Sequence, residues 1–138
     1  MNVETGIPVG AEPDLRNNKK PPDIRARSFK YAIRAVKLYQ HLQRQKDSAG
    51  WVLGKQYLRA ACSIGANIEE SQSAESRADF VHKLGIAQKE GRESLYWVRL
   101  MAECDIVPTK NLNPLMKETE ELISVISSII LSTKRKKS

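Results

Sequence analysis

Arg27, Lys30, Arg34, Lys37, His41 and Arg44 recur at steps of three and four, the spacing that stacks side chains along one face of an α-helix. Five of the six are cations at neutral pH, the sixth is a titratable ring, and no Asp or Glu interrupts them. Between Asp23 and Lys46 the chain holds seven Lys/Arg against one Asp, whereas the formal net charge of the whole sequence is only +7. The excess positive charge therefore belongs to one helix. Such a stripe suits a polyanion, because each neutralised phosphate releases condensed counterions and no particular base has to be read. The candidate phosphate contacts are Arg27, Lys30, Arg34, Lys37 and Arg44. A charge run on a helix is more often a solvated face, but solvated faces mix signs for pairing along the helix and this one does not. An acidic surface of a protein partner would meet the stripe equally well.

The remaining reactive side chains assemble into no recognisable chemistry. His41 and His82 each lack a second ligand at metal spacing, so hydrogen-bonded or solvated rings are expected and no metal or cofactor is. Glu69 and Glu70 are adjacent, hence about 100° apart on a helix, and cannot face one another as an acid/base pair; an ion pair from Glu69 to another helix is the better reading. Ser63 has no supporting His or Lys, and Asn67 reads as a buried hydrogen-bonding residue that fixes register. Trp51, Tyr96 and Trp97 could stack on bases, although aromatics at helical spacing more often pack in a core or an interface. Cys62 and Cys104 occur without a CxxC pattern and read as reduced core residues of a cytosolic protein. The basic run Lys134 to Lys137 reads first as a helix C-terminus favoured by the dipole. A non-enzymatic protein is expected.

The elements that must position the stripe follow from apolar periodicity. A chain of 138 residues with 41% hydrophobic content suits one domain with an ordinary core. No apolar run reaches the roughly 18 residues of a membrane span, and no leader-like apolar segment opens the chain, so a cytoplasmic location is expected. Residues 1–22, with four prolines, no aromatic residue and little apolar surface, are expected to be a disordered tail. The bundle is expected over 23–134, with a basic tail at 135–138. The first helix should start at Asp23 and end near Lys46, burying Phe29, Ala32, Ile33, Ala35, Val36, Tyr39 and Leu42 opposite the cations, with Tyr31 and Leu38 between the two arcs. Asp47 to Gly50 reads as a turn with Gly50 left-handed, and the second helix as running from Trp51 to about Ser73 through the small residues Ala60 to Ala66. Ser76 and Asp79 form a capping-box start for a third helix striped by Phe80, Leu84, Ala87, Gly91, Leu95, Val98 and Ala102. A fourth, lined by Leu115, Leu122, Ile126, Ile129 and Ile130, should begin between Thr109 and Pro114, with Asn113 and Pro114 as cap and first-turn pair. Short connections between four long amphipathic helices specify an all-α, up-down-up-down antiparallel four-helix bundle.

The run from Leu58 through Ser63-Ile64-Gly65-Ala66-Asn67-Ile68 to Ser71, followed by Ser76 to Ala87 and by Glu93-Ser94-Leu95-Tyr96-Trp97, resembles the bacterial four-helix-bundle family named after the intervening sequences of 23S ribosomal RNA genes. The similarity spans about Phe29 to Lys134. Many members of that family carry Pro at the place of Gly65 and Ala-Glu-Gly where this chain has Glu69-Glu70-Ser71. The resemblance implies assembly into a ring, a homopentamer. It also implies kinship with basic barrel-shaped accessory proteins of diversity-generating retroelements, which bind nucleic acid and a reverse transcriptase. Together with the stripe, this gives two expectations: a homo-oligomer that binds nucleic acid, RNA foremost, without base specificity, or an adaptor for an acidic protein partner such as a reverse transcriptase encoded nearby.

Overall fold

The computed structural model describes residues 23–136 and contains four helices, α1 (Ile24–Gln43), α2 (Ser48–Ser71), α3 (Arg77–Glu103) and α4 (Thr109–Arg135). The expected tail at 1–22 and the last two residues of the basic tail lie outside the described residues; Lys134 and Arg135 belong to α4 and Lys136 caps it. Each helix packs along its neighbour in sequence, and α1 meets α4 across a much thinner seam, which closes the antiparallel bundle. No strand occurs among the described residues.

Local sequence explains most of the boundaries. Asp23 accepts from the Arg25 amide at 3.0 Å and starts α1. Ser76 Oγ accepts from the Asp79 amide at 3.0 Å, and Asp79 reaches back to the amide of Glu75 at 3.3 Å, one residue beyond the usual reciprocal bond. At the end of α3, Asp105 takes a left-handed φ of 55°, while the Ile106 amide donates to Met101 O and the Asp105 amide to Ala102 O. This is a Schellman closure with Asp in the place glycine usually fills.

The start of α2 and the cap of α4 differ from expectation, and α1 ends at Gln43, short of Lys46, while α4 starts within the expected span. Asp47 begins a helix instead of opening a turn: its carboxylate accepts from the Gly50 amide at 3.2 Å, so Gly50 is helical, buried and not left-handed. Helix α4 starts at Thr109, which puts Asn113 and Pro114 inside its second turn and leaves the Lys110 carbonyl without its helical donor. Asn-Pro is a start signal, but Pro108 had already fixed the chain direction five residues earlier.

The rotation of α1 is the main correction. Its buried side is Ser28, Tyr31, Ala35, Leu38 and Leu42, whereas Phe29, Ile33 and Val36 are 67%, 36% and 39% exposed. Tyr31 and Leu38 are thus central to the core. They meet Tyr57, Ala61, Ile64 and Ile68 of α2, Leu84, Ala87, Val98 and Met101 of α3, and Leu112, Leu115, Leu122 and Ile126 of α4. The physical reason is a chain of hydroxyls across the bundle. Tyr57 donates to Tyr31 at 2.8 Å, Tyr31 lies 2.5 Å from Thr119 Oγ1, and Thr119 donates to Leu115 O at 2.7 Å. A buried phenol is tolerated only with such partners. Burial pushes the Tyr31 hydroxyl up to about 12 and that of Tyr57 well above its ordinary value, so both remain protonated at neutral pH.

Small residues set the helix separations. A Cβ at Gly54 would fall 2.6 Å from Leu42 Cδ1, while one at Gly85 would meet nothing within 4 Å. Cys62 is half-buried and Cys104 exposed, and both are free thiols; Cys104 therefore lies on the surface and not in the core.

Two stability outcomes follow. Tyr31→Phe strands the Tyr57 proton and the Thr119 oxygen, and is expected to cost about 1–3 kcal/mol in urea unfolding. Gly85→Ala should stabilise by up to about 1 kcal/mol, whereas Gly54→Ala should be net destabilising, because overpacking of order 1–3 kcal/mol outweighs the same helix gain; thermal melts of the two variants should move in opposite directions.

Candidate nucleic-acid interface

The five candidate cations share one side of α1, yet the fold uses them differently. Arg27 is half-buried and clamps the α4 acids: Nε and Nη2 each lie 2.8 Å from a Glu118 carboxylate oxygen, and Nη2 lies 2.8 Å from Glu121. Glu118 and Glu121 stand one turn apart on one face of α4, so a single guanidinium spans both. The bond to Glu118 raises the already high Arg27 pKa against the opposing effect of burial. Arg27 is thus a fastener of the thin α1–α4 seam and not an outward contact. The pairing joins residues 91 and 94 apart in sequence, too distant for any local pattern to reveal.

Lys30 and Arg34 are half-buried at the middle of the stripe, and both hold interactions of their own. The Arg34 charge acts on the Tyr31 and Tyr57 hydroxyls, favouring their ionised forms against burial. Lys37 and Arg44 are exposed. Between Arg34 and Arg44, His41 is half-buried, and burial first, then the Arg44 charge, lowers its pKa below the ordinary 6.5. The ring is neutral at pH 7. At that pH the outward cations of the stripe are Lys37 and Arg44, with Lys30 and Arg34 set deeper beside them.

The second basic region does not join the first. Helix α4 runs antiparallel to α1, and Arg135 lies fourteen residues beyond Glu121 whereas Arg44 lies seventeen beyond Arg27. At 1.5 Å per residue the two sites are separated by roughly 45 Å along the bundle axis. Lys134, Arg135 and Lys136 are exposed at that far end.

Beyond the stripe, the tertiary structure supplies the partners of several further polar residues. Glu69 does pair with another helix: Arg25 meets its two oxygens at 3.2 and 3.1 Å. Asn67 donates to Ser63 O at 2.8 Å, one turn back on its own helix, and is half-buried. Glu90 of α3 is buried beside Ser94 and lies 3.3 Å from Arg59 of α2, which also pairs with Glu93; Trp97 Nε1 approaches the same Glu93 carboxylate at 3.5 Å. No sequence signal marked Glu90, because its partner is 31 residues away. Among the described residues no group of three His, Cys, Asp or Glu could hold a metal ion, and no helix is long and apolar enough to cross a membrane.

Removing the Arg27 clamp leaves Glu118, with a side chain 18% exposed, facing a weakened seam. Arg27→Gln is expected to lower stability by about 1–3 kcal/mol in urea unfolding, and Glu118→Gln by a similar amount, with sub-additive loss in the double variant.

Comparison with known proteins agrees with the architecture. The family described as 23S rRNA-intervening sequence protein matches residues 22–128. A solved structure of similar fold is a protein with unknown function from the S23 ribosomal protein family of Bacteroides thetaiotaomicron VPI-5482; it is 38% identical, with a TM-score of 0.74, covering 78% of this chain and 98% of that one. No curated protein matches. The profile match over most of the chain and the shared bundle establish that the chain belongs to the 23S rRNA-intervening sequence protein family.

Proposed function

We propose that this is a non-enzymatic, oligomeric four-helix-bundle protein of the cytoplasm that binds nucleic acid, RNA foremost, through phosphate contacts without base specificity. The observation that supports this reading is the acid-free cationic side of α1: no Asp or Glu occurs between Ile24 and Gln43, and Arg27 neutralises the α4 acids Glu118 and Glu121. Lys37 and Arg44 make the phosphate contacts, and Lys30 and Arg34 add to the local field. Arg27 contributes by screening the stripe from α4.

Two to four contacts per chain bind weakly, so the reading includes self-assembly. In a homopentameric ring five copies of the stripe act on one polyanion, and effective concentration multiplies weak contacts. The family is named after intervening sequences of 23S ribosomal RNA genes, and RNA is put before DNA by that association alone.

The test is a titration of the purified chain against structured RNA and duplex DNA at several salt concentrations, with Lys37→Glu/Arg44→Glu alongside and assembly mass measured by light scattering. Log affinity should fall linearly with log salt, and each phosphate contact removed should reduce the slope by about one, summed over the copies of the stripe that touch the ligand. Flat titrations with an intact oligomer would overturn the reading and give the α1 face to an acidic protein surface.

A further inference from the structure

Three apolar residues are exposed along the outer side of α1, and each is followed directly by a cation: Phe29-Lys30, Ile33-Arg34 and Val36-Lys37. Because consecutive residues on a helix sit about 100° apart, these pairs build two parallel stripes, one apolar and one cationic, over about two turns of α1, and Arg44 extends the cationic one to its C-terminal end. Phe29 is 67% exposed, the highest of any large hydrophobic residue described. A second aromatic, Trp51, is 42% exposed at the other end of α1, and its indole N–H donates to Leu42 O and Gln45 O at 3.0 and 2.8 Å, which fixes the ring against the C-terminal end of α1. Tyr96 is also exposed, but it packs edge-on against Trp97 on α3, a helix that is not a neighbour of α1 around the bundle.

A duplex offers this double stripe only half a partner. Its exterior presents phosphates and sugars to the cations, while its base faces are hidden in the stack. A single strand offers both, phosphates on one edge and unstacked base faces on the other, and any base can stack on an aromatic ring without being read. We infer that the ligand of the α1 face is single-stranded nucleic acid, or the unpaired loop of a folded RNA, lying along the helix with its phosphates on Lys37 and Arg44 and a base stacked on Phe29. Ile33 and Val36 continue the apolar track past the stacked base. This inference rests on the nucleic-acid reading above and specifies its ligand.

The experiment compares an oligouridylate with an RNA duplex of equal phosphate number, by fluorescence anisotropy at one salt concentration, using the full chain. The single strand should bind at least roughly tenfold more tightly. Phe29→Ala should weaken single-strand binding by roughly 5- to 100-fold and leave duplex binding unchanged; Phe29→Leu, which keeps apolar bulk without a π face, should lose nearly as much, and Phe29→Trp should restore it. Equal affinity for the two RNAs, an unchanged Phe29→Ala, or a Phe29→Leu chain that binds as the parent does would overturn the inference. So would a fall in the assembly mass of Phe29→Ala, which would assign the ridge to a contact between copies. Salt-dependent binding of both RNAs to the same degree leaves the nucleic-acid reading standing while the single-strand inference falls. Binding of neither removes both.

Discussion

The rotation of α1 about its own axis is fixed by Tyr31, because its hydroxyl can be buried only where Tyr57 supplies a donor and Thr119 an acceptor. That one constraint draws together α1, α2 and α4 at the middle of the bundle. Once Tyr31 points inward, Ala35, Leu38 and Leu42 follow at helical spacing, and Phe29, Ile33 and Val36 are carried outward. The cations between these arcs land at the edge of the core. Their burial then grades from the clamped Arg27 to the exposed Lys37 and Arg44.

Charge completes what the hydroxyl chain begins. The seam between α1 and α4 is the thinnest in the bundle, and Arg27 crosses it with three hydrogen bonds to two carboxylates. Such a pair is strengthened by partial burial yet remains near enough to water to avoid the full desolvation cost of a buried ion. Across the α2–α3 seam Arg59 does a similar thing for Glu90, a carboxylate that would otherwise be a charge left in the core. Apolar packing sets the overall architecture, while these few long-range ion pairs set which polar faces remain outside. The same arrangement that consumes Arg27 also removes Glu118 and Glu121 from the field around Lys37 and Arg44.

A bundle of this kind presents its function on helix faces. The bundle scaffold is shared by the Bacteroides thetaiotaomicron structure, and it constrains the function of neither protein. In this chain the surface of α1 sets an apolar track and a cationic track side by side. Helical rigidity matters here because both tracks are held at fixed spacing, so a ligand need not order them on binding.

By itself the sequence determined the four helices, their antiparallel order, the starts at Asp23 and Ser76, and nearly all of the α3 stripe, because these depend on contacts within one or two turns. It also determined that the positive charge is concentrated on α1. It could not determine which of two apolar arcs of α1 is buried. Phe29, Ile33 and Val36 are more hydrophobic than Ser28 and Tyr31, so composition alone favours the wrong side. Nor could Asp47-Ser48-Ala49-Gly50 declare itself a helix start, since its residues serve turns and caps alike; Gly50 is held where a Cβ would come within 3.1 Å of Ile106, a residue of the α3–α4 connection. The use of Arg27 as a clamp, the burial of Glu90 and the exposure of Phe29 were decided only by the tertiary structure. Each depends on a partner tens of residues away, and a periodic pattern within one helix contains no information about the helix it will meet.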